Sequence, residues 1–435
     1  MTVFRHCLVF CIVAGFAGCD RKNPGFSEEN PVDPLIVTVT YVVGDVLTTN
    51  LKHRAIQKFM RLHPQVIMVE KLGDDIRIMD AVDEFPDLME TRYAPDQVRA
   101  GKLGELPKDI VDLFEKTVPI YSRDYTAPIE ETYPIGIVYS KKIFRQLGIN
   151  PEDIKTYGDF LGICEKIKNA GIPPLVFGGA DTWHFGFWWG YFWQREIAVQ
   201  DPDWIARRYA HKTRFSDPEV RAVLTGFKEL FERGYIGNDW IATGETQCPD
   251  NFVKSLAAMY YIGPFAFQQI AELDPSFEFG FFAIPDDQGR INIIGGPTDT
   301  GWAISMDAQN DPSRAEVIYD FIRYFFSREI YAEYLSQSNA ISTLKEKYSY
   351  TVHEVFQQVL RVAMTADDKQ LNWNQKPGAN ELPQGFRNFC YRLAGQIFLN
   401  EFTIDEGLRL LDEEWERRTK QFNPALESNM IPGEN

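Results

Sequence analysis

From residue 36 onward, short β-branched runs alternate with amphipathic helical segments, and that alternation admits few architectures. Residues 36–41 alternate apolar and polar side chains, as a half-buried strand does. Residues 47–62 carry helical periodicity and stop at His63-Pro64. Residues 66–69 read as a second strand, and Phe85-Pro86-Asp87-Leu88-Met89 as a turn into a third. A β-α-β opening predicts a parallel sheet with helices on its faces. Two long extended stretches interrupt the pattern. Residues 126–140 are kept out of a helix by Pro128 and Pro134, and residues 291–305 carry a Gly-Gly-Pro break.

Between and beyond these stretches the helix signals are local. Residues 141–147 form a short helix stopped by Gly148. Thr156-x-x-Asp159 and Thr403-x-x-Glu406 read as capping boxes. Ser216-x-x-Glu219 predicts a helix running to Arg233-Gly234, and Asp311-Pro312 one running to Phe326. Residues 175–177 and 256–262 are strands, the second followed by Gly263-Pro264 at a helix start. The chain of 435 residues is long enough for two or three domains, and no repeat of 20–50 residues divides it. The expected class is α/β, with helices in the majority.

Residues 1–19 read as an address. Arg5 and His6 precede an apolar run from Cys7 to Phe16, and Phe16-Ala17-Gly18-Cys19 places small residues at a cleavage point. That string resembles the lipobox of bacterial lipoproteins, with Phe16 where Leu is usual. The resemblance implies lipidation at Cys19, and an exported protein anchored to a bacterial membrane. A plain signal peptide with a chance cysteine and a hydrophobic N-terminal helix are the rivals. Residues 20–34 then form a polar tether, spanning on the order of 20 Å as a flexible chain. No run of 18 apolar residues exists to cross a bilayer. Cys164, Cys248 and Cys390 are widely spaced, which is neither a disulfide framework nor a zinc site; buried thiols are expected, although one bridge stays open.

The net charge of −17 repels phosphate backbones and argues against a nucleic-acid partner. The sequence has no HExxH, GxxxxGK[ST], GxSxG or GxGxxG, and its histidines lack metal-ligand spacing. Neither a metal nor a cofactor is expected. A glycoside hydrolase would need two carboxylates facing across a cleft, and no local signature supplies them.

Four segments in order carry a family resemblance: residues 136–144 (GIVYSKKIF), 156–160 with 171–175 (TYGDF, GIPPL), 257–266 (AAMYYIGPFA), and Gly295-Gly296 through 301–305 (GWAIS). Over about residues 35–420 the chain resembles the extracellular solute-binding proteins of bacterial ABC importers, in particular the sugar-binding group that includes the maltodextrin-binding proteins. The resemblance implies a two-lobed periplasmic-binding-protein fold that closes like a flytrap, with the extended stretches as hinge crossovers. It places one lobe at 35–130 plus 297–340 and the other at 131–296 plus 341–430. It implies no enzymatic step, a monomer, an ABC permease as partner and a carbohydrate as ligand. A surface sensor or adhesion lipoprotein on the same fold, and an importer component for a non-sugar solute, are the alternatives.

A sugar presents hydroxyls at its rim and C–H faces to aromatic planes. Residues 183–193 hold eight aromatics, of which Phe185, Trp188, Trp189 and Phe192 share one helical face and are expected in the core. Asp181 and Trp183 lie in the loop after a strand, where α/β sheets bind ligands. Asp45 and Arg92 hold similar positions after the first and third strands, and the resemblance gives Asp45 the sugar-hydroxyl role. It places Glu131 and Tyr133 on the first crossing, facing the cleft, and Phe265 at the stacking position. Trp302, on the second crossing, and Trp373, in a polar loop between Asn372 and Asn374, complete the candidate contacts.

Overall fold

The sequence alternation resolves into two separate sheets, each assembled from distant parts of the chain. The computed structural model describes residues 36–43, 49–71, 85–91, 94–131, 134–296 and 300–420, all within one unit, Ile36–Asn435. The first sheet has the order β2-β1-β3-β10-β4, with β1 Val37–Val42, β2 Val66–Glu70, β3 Leu88–Thr91, β4 Ala127–Pro128 and β10 Gly301–Ile304. β1 pairs in parallel with β2 and β3, as the β-α-β opening predicts, and β10 runs antiparallel between β3 and β4. The second sheet has the order β6-β7-β5-β8, with β5 Gly136–Ser140, β6 Leu175–Val176, β7 Met259–Ile262 and β8 Phe279–Phe282. A two-stranded ribbon joins β9 Asn292–Ile294 to β11 Asp368–Gln370.

The second sheet is buried on both faces, whereas edge strand β2 of the first exposes Ile67 and Val69 on one face, and the strand period of two sorts the side chains. In β5, Ile137 and Tyr139 enter one core and Val138 the other; in β7, Met259 and Tyr261 oppose Tyr260 and Ile262 in the same way. In the first sheet Leu88, Trp302 and Ile304 share a core with Phe59, Phe321 and Phe325, whereas Met89 and Ala303 face a smaller cluster around Leu103 and Ile120. Two lobes result. The chain passes between them from β4 to β5, from β9 to β10, and again between the helix Arg328–Ser338 in the first core and Val355-Phe356 in the second lobe.

Local signals account for many boundaries. Both capping boxes form: Thr156 with Asp159 opens the helix Tyr157–Asn169, and Thr403 with Glu406 opens Ile404–Thr419. Asp311 accepts bonds from the Ser313 and Arg314 amides ahead of Pro312–Phe325. Gly148 stops Lys141–Leu147 at φ 58°, a left-handed turn that costs glycine nothing sterically. One start differs: the helix predicted from Ser216 spans Pro218–Glu232, with Asp217 at the N-cap position but making no side-chain capping bond. Pro218 fits the first helical position, and this fixes the start one residue later.

The helix Trp183–Trp193 is buried nearly all round. Phe185, Trp188, Trp189 and Phe192 are in the core as expected, but Tyr191 and Trp193 are too. A π-helical turn, Gln194–Ala198, extends it. There Gln194 donates to the Ile293 carbonyl (2.8 Å), and Gln370 donates back to that of Ala198 (3.0 Å), fastening the β9–β11 ribbon to the second lobe. Cys164, Cys248 and Cys390 are free and buried. No helix among the described residues is long and apolar enough to cross a membrane.

Candidate functional site

The carboxyl ends of β6 and β7 and the start of β5 lie at one edge of the second sheet, because β5 runs antiparallel to β7 while β6 runs parallel to it. β6 leads into Phe177-Gly178-Gly179 and the helix Trp183–Trp193; β7 leads into Gly263-Pro264-Phe265. The first crossing enters at the same edge.

Two glycines let this edge pack. A Cβ on Gly178 would lie 2.7 Å from His184 Nδ1, and one on Gly179 would lie 2.1 Å from the Trp240 ring. The loop is then zipped to residues 240–245: the Gly179 amide donates to the Trp240 carbonyl (2.8 Å) and the Ala180 amide to that of Thr243 (3.1 Å). Asp181 closes the zipper, its carboxylate accepting from the Glu245 amide at 2.5 Å. The Asp181 carboxylate therefore braces the loop that presents Trp183.

Trp183 is half-buried. It stacks on His184 with centroids 3.8 Å apart and meets the Phe187 ring edge-on at 5.3 Å. Phe187 lies 6.2 Å from Phe265, and both are half-buried. Phe265 packs against the cores on both faces of the second sheet and also against the core of the first lobe. Trp183, Phe187 and Phe265 thus form a continuous row of partly exposed rings along the edge of one lobe, ending against the other. Phe187 had no place among the sequence candidates. The signal was present, because Phe187 follows Trp183 by four residues, one helical turn on the same face.

Beneath the row is a buried polar cluster. His184 Nε2 lies 3.0 Å from the Tyr260 hydroxyl. Burial pushes its pKa down to about 4, so the imidazole stays neutral at physiological pH. Burial likewise pushes the neighbouring Cys248 thiol up to about 12, which removes it as a nucleophile. Among the described residues no group of three or more His, Cys, Asp or Glu could hold a metal ion.

The remaining candidates separate. Glu131 lies on the first crossing as expected. Its amide donates to the Ile341 carbonyl (3.1 Å), and its carboxylate lies 3.3 Å from Lys369 Nζ on β11, so it ties the crossing to the ribbon. Trp302 is a correction. It has no exposed surface and sits between Phe321 and Phe325, at 5.3 and 5.4 Å, inside the first core, so it presents no face to a ligand. Trp373 is a second correction: it is 2% exposed and packs on Trp189 and Trp193 at 5.5 and 5.0 Å rather than standing in an open polar loop. Asp45, Arg92, Tyr133 and Cys19 lie outside the described residues.

In the first lobe, Lys52 and Glu90 form an ion pair at 2.8 Å, 1% and 4% exposed. Glu90 stands on β3 directly opposite Trp302. The Tyr334 ring lies under the Lys52 ammonium at 5.8 Å, and its hydroxyl donates to Glu130 at 2.8 Å. This network joins the helix Thr49–Leu62, β3, the helix Arg328–Ser338 and the start of the first crossing.

Comparison with known proteins agrees with this architecture. The family profile described as "Bacterial extracellular solute-binding protein" matches residues 26–332. The chain is 22% identical over 290 residues to a multiple sugar-binding protein of Streptococcus mutans; the match covers 66% of this chain and 63% of that protein. Among solved structures, a chitin oligosaccharide binding protein superposes with a TM-score of 0.77 at 17% identity, covering 88% of this chain and 99% of the other. A solute-binding protein, RafE, in complex with raffinose superposes at 0.71, also at 17% identity and with the same coverage.

Proposed function

This chain belongs to the bacterial extracellular solute-binding proteins, and from that premise we propose that it captures a carbohydrate, a mono- or oligosaccharide, between its two lobes and hands it to an ABC permease. The observation that carries the reading is the row Trp183–Phe187–Phe265: partly exposed aromatic planes at the carboxyl edge of one lobe, reaching the other. Ring faces of this kind meet the C–H faces of sugars, and a row offers room for more than one ring. Asp45, Arg92 and Tyr133 remain in this reading as hydroxyl-binding groups, with Asp181 bracing the loop that presents Trp183 and Glu131 tying the first crossing to the ribbon.

The protein performs no chemistry in this reading. A ligand touched by both lobes favours the closed state by its differential affinity, while the crossings absorb the rotation. Lipidation at Cys19 confines the protein to a membrane surface beside its permease, where it works as a monomer. A multiple sugar-binding protein, a chitin oligosaccharide binding protein and RafE in complex with raffinose are among its relatives, which supports the sugar class without choosing the sugar.

Calorimetric titration against a panel of mono- and oligosaccharides tests the proposal. A sugar that binds the wild type, is recovered unhydrolysed, and loses at least tenfold in affinity in Trp183→Ala supports it. Binding of only polyamines or peptides, or hydrolysis of the sugar, overturns it.

A further inference from the structure

The lobes touch through an ion pair whose partners are 282 residues apart in sequence. Arg99 ends the helix Ala94–Arg99 in the first lobe, just beyond β3. Its guanidinium donates through both terminal nitrogens to Glu381, at 2.9 and 2.8 Å, the two-pronged geometry in which arginine binds carboxylate most strongly. Glu381 belongs to the second lobe. The side chains are 17% and 15% exposed, so water screens the contact only partly.

Each partner is fixed to its own lobe. Arg99 also bonds Asp96 one turn earlier in its helix, and the neighbouring Val98 packs into the small core around Met89 and Leu103. On the other side, Tyr209 donates to the Glu381 carbonyl (3.0 Å), the Ala206 amide donates to Asn380 (3.0 Å), and Leu382 packs against the second-lobe core. Burial works against the Arg99 charge, but Glu381 together with Tyr121 and Asp96 outweighs it and holds the guanidinium pKa above its ordinary value. Because both ends are anchored, the lobes cannot separate there without breaking both bonds together.

We propose that Arg99 and Glu381 form an interlobe clasp that maintains a closed population without ligand and so sets the affinity the protein shows for whatever it binds. When only part of a population is competent, the apparent dissociation constant depends on that fraction. The aromatic row determines what is bound; the clasp, outside that row, determines how far the lobes already stand together. The inference concerns the ligand-free protein and stands or falls separately from the sugar assignment.

Small-angle X-ray scattering on the ligand-free full chain tests it, with thermal unfolding to confirm that each variant is folded. Wild type shows a compact component. Glu381→Gln keeps the shape and removes the charge, and shifts the closed-to-open ratio toward open by about tenfold, the scale of close interfacial ion pairs. Arg99→Gln does the same, and the double variant opens no further than either single, because both remove one interaction. Arg99→Lys keeps the charge, loses the fork and falls between. A wild type that is wholly open without ligand overturns the proposal. So do variants that scatter as wild type does, or single effects that add in the double variant.

Discussion

Gly178→Ala places a methyl group where the structure has no room for one. Its Cβ would stand 2.7 Å from His184 Nδ1 and 2.9 Å from Cys248 Sγ, whereas ordinary contact begins at 3.4 Å. The imidazole must therefore retreat by about 0.7 Å, the difference between 3.4 and 2.7 Å. It cannot do so freely: the Trp183 ring lies against it at 3.8 Å and Tyr260 bonds its other nitrogen at 3.0 Å. Overpacking of this kind costs about 1–3 kcal/mol of stability. The strain also passes to Trp183, so under the proposed carbohydrate reading the affinity falls by about 5–30-fold, the factor that 1–2 kcal/mol represents. Gly162 supplies the control. It lies inside the helix Tyr157–Asn169 with nothing within 4 Å of its Cβ position, so Gly162→Ala stabilises by about 0.5–1 kcal/mol. Equilibrium denaturation in urea reads the stability change, and calorimetric titration reads the affinity. Gly178→Ala within about 0.5 kcal/mol of wild type, the range of neutral surface changes, would refute the reasoning, because the His184 cluster would then be yielding rather than close-packed.

Two further outcomes follow from the buried polar groups. Lys52→Met takes the ammonium away from the buried Glu90 carboxylate and costs about 3–5 kcal/mol, whereas Lys52→Met with Glu90→Met costs less than that single change; denaturation of the three proteins checks the order. His184 is held neutral with a folded pKa of about 4 against 6.5 unfolded, so between those values the unfolded chain binds the extra proton. Its contribution to stability is complete above pH 6.5 and is lost as pH falls toward 4, amounting to about 2 kcal/mol by pH 4.5. Wild type therefore loses more stability than His184→Gln between pH 7 and 4.5; equal losses in denaturation midpoint would remove His184 as the cause.

Sequence revealed those features whose causes are local. Thr156 and Thr403 declare their helices because a cap and its reciprocal acid lie three residues apart. Asp217 shows where competing local signals needed ranking: a proline at the first helical turn outweighed the Ser216 start. Trp302 and Trp373 failed for another reason. An aromatic side chain does not announce whether its face meets a ligand or a core, and the rings that bury these two, Phe321 with Phe325 and Trp189 with Trp193, are brought in by distant chain. The flanking asparagines that made Trp373 look solvated have their side-chain oxygens buried too. Phe187 was legible by helical spacing alone. The pairs Lys52–Glu90 and Arg99–Glu381 were not, because no local pattern links charges so far apart.

The place of β10 in the first sheet governs when that lobe can be finished during synthesis. β10 pairs with β3 on one side and β4 on the other, Trp302 lying opposite both Glu90 and Ala127. Until residue 304 has been made, β4 has no neighbour in the sheet and the core around Trp302, Phe321 and Phe325 does not exist. Pairings across some 200 residues form slowly, since a large loop must close before any contact rewards it. The amino-terminal lobe is therefore completed only after much of the second has been translated, and the growing chain stays unfinished at its front end for most of its synthesis.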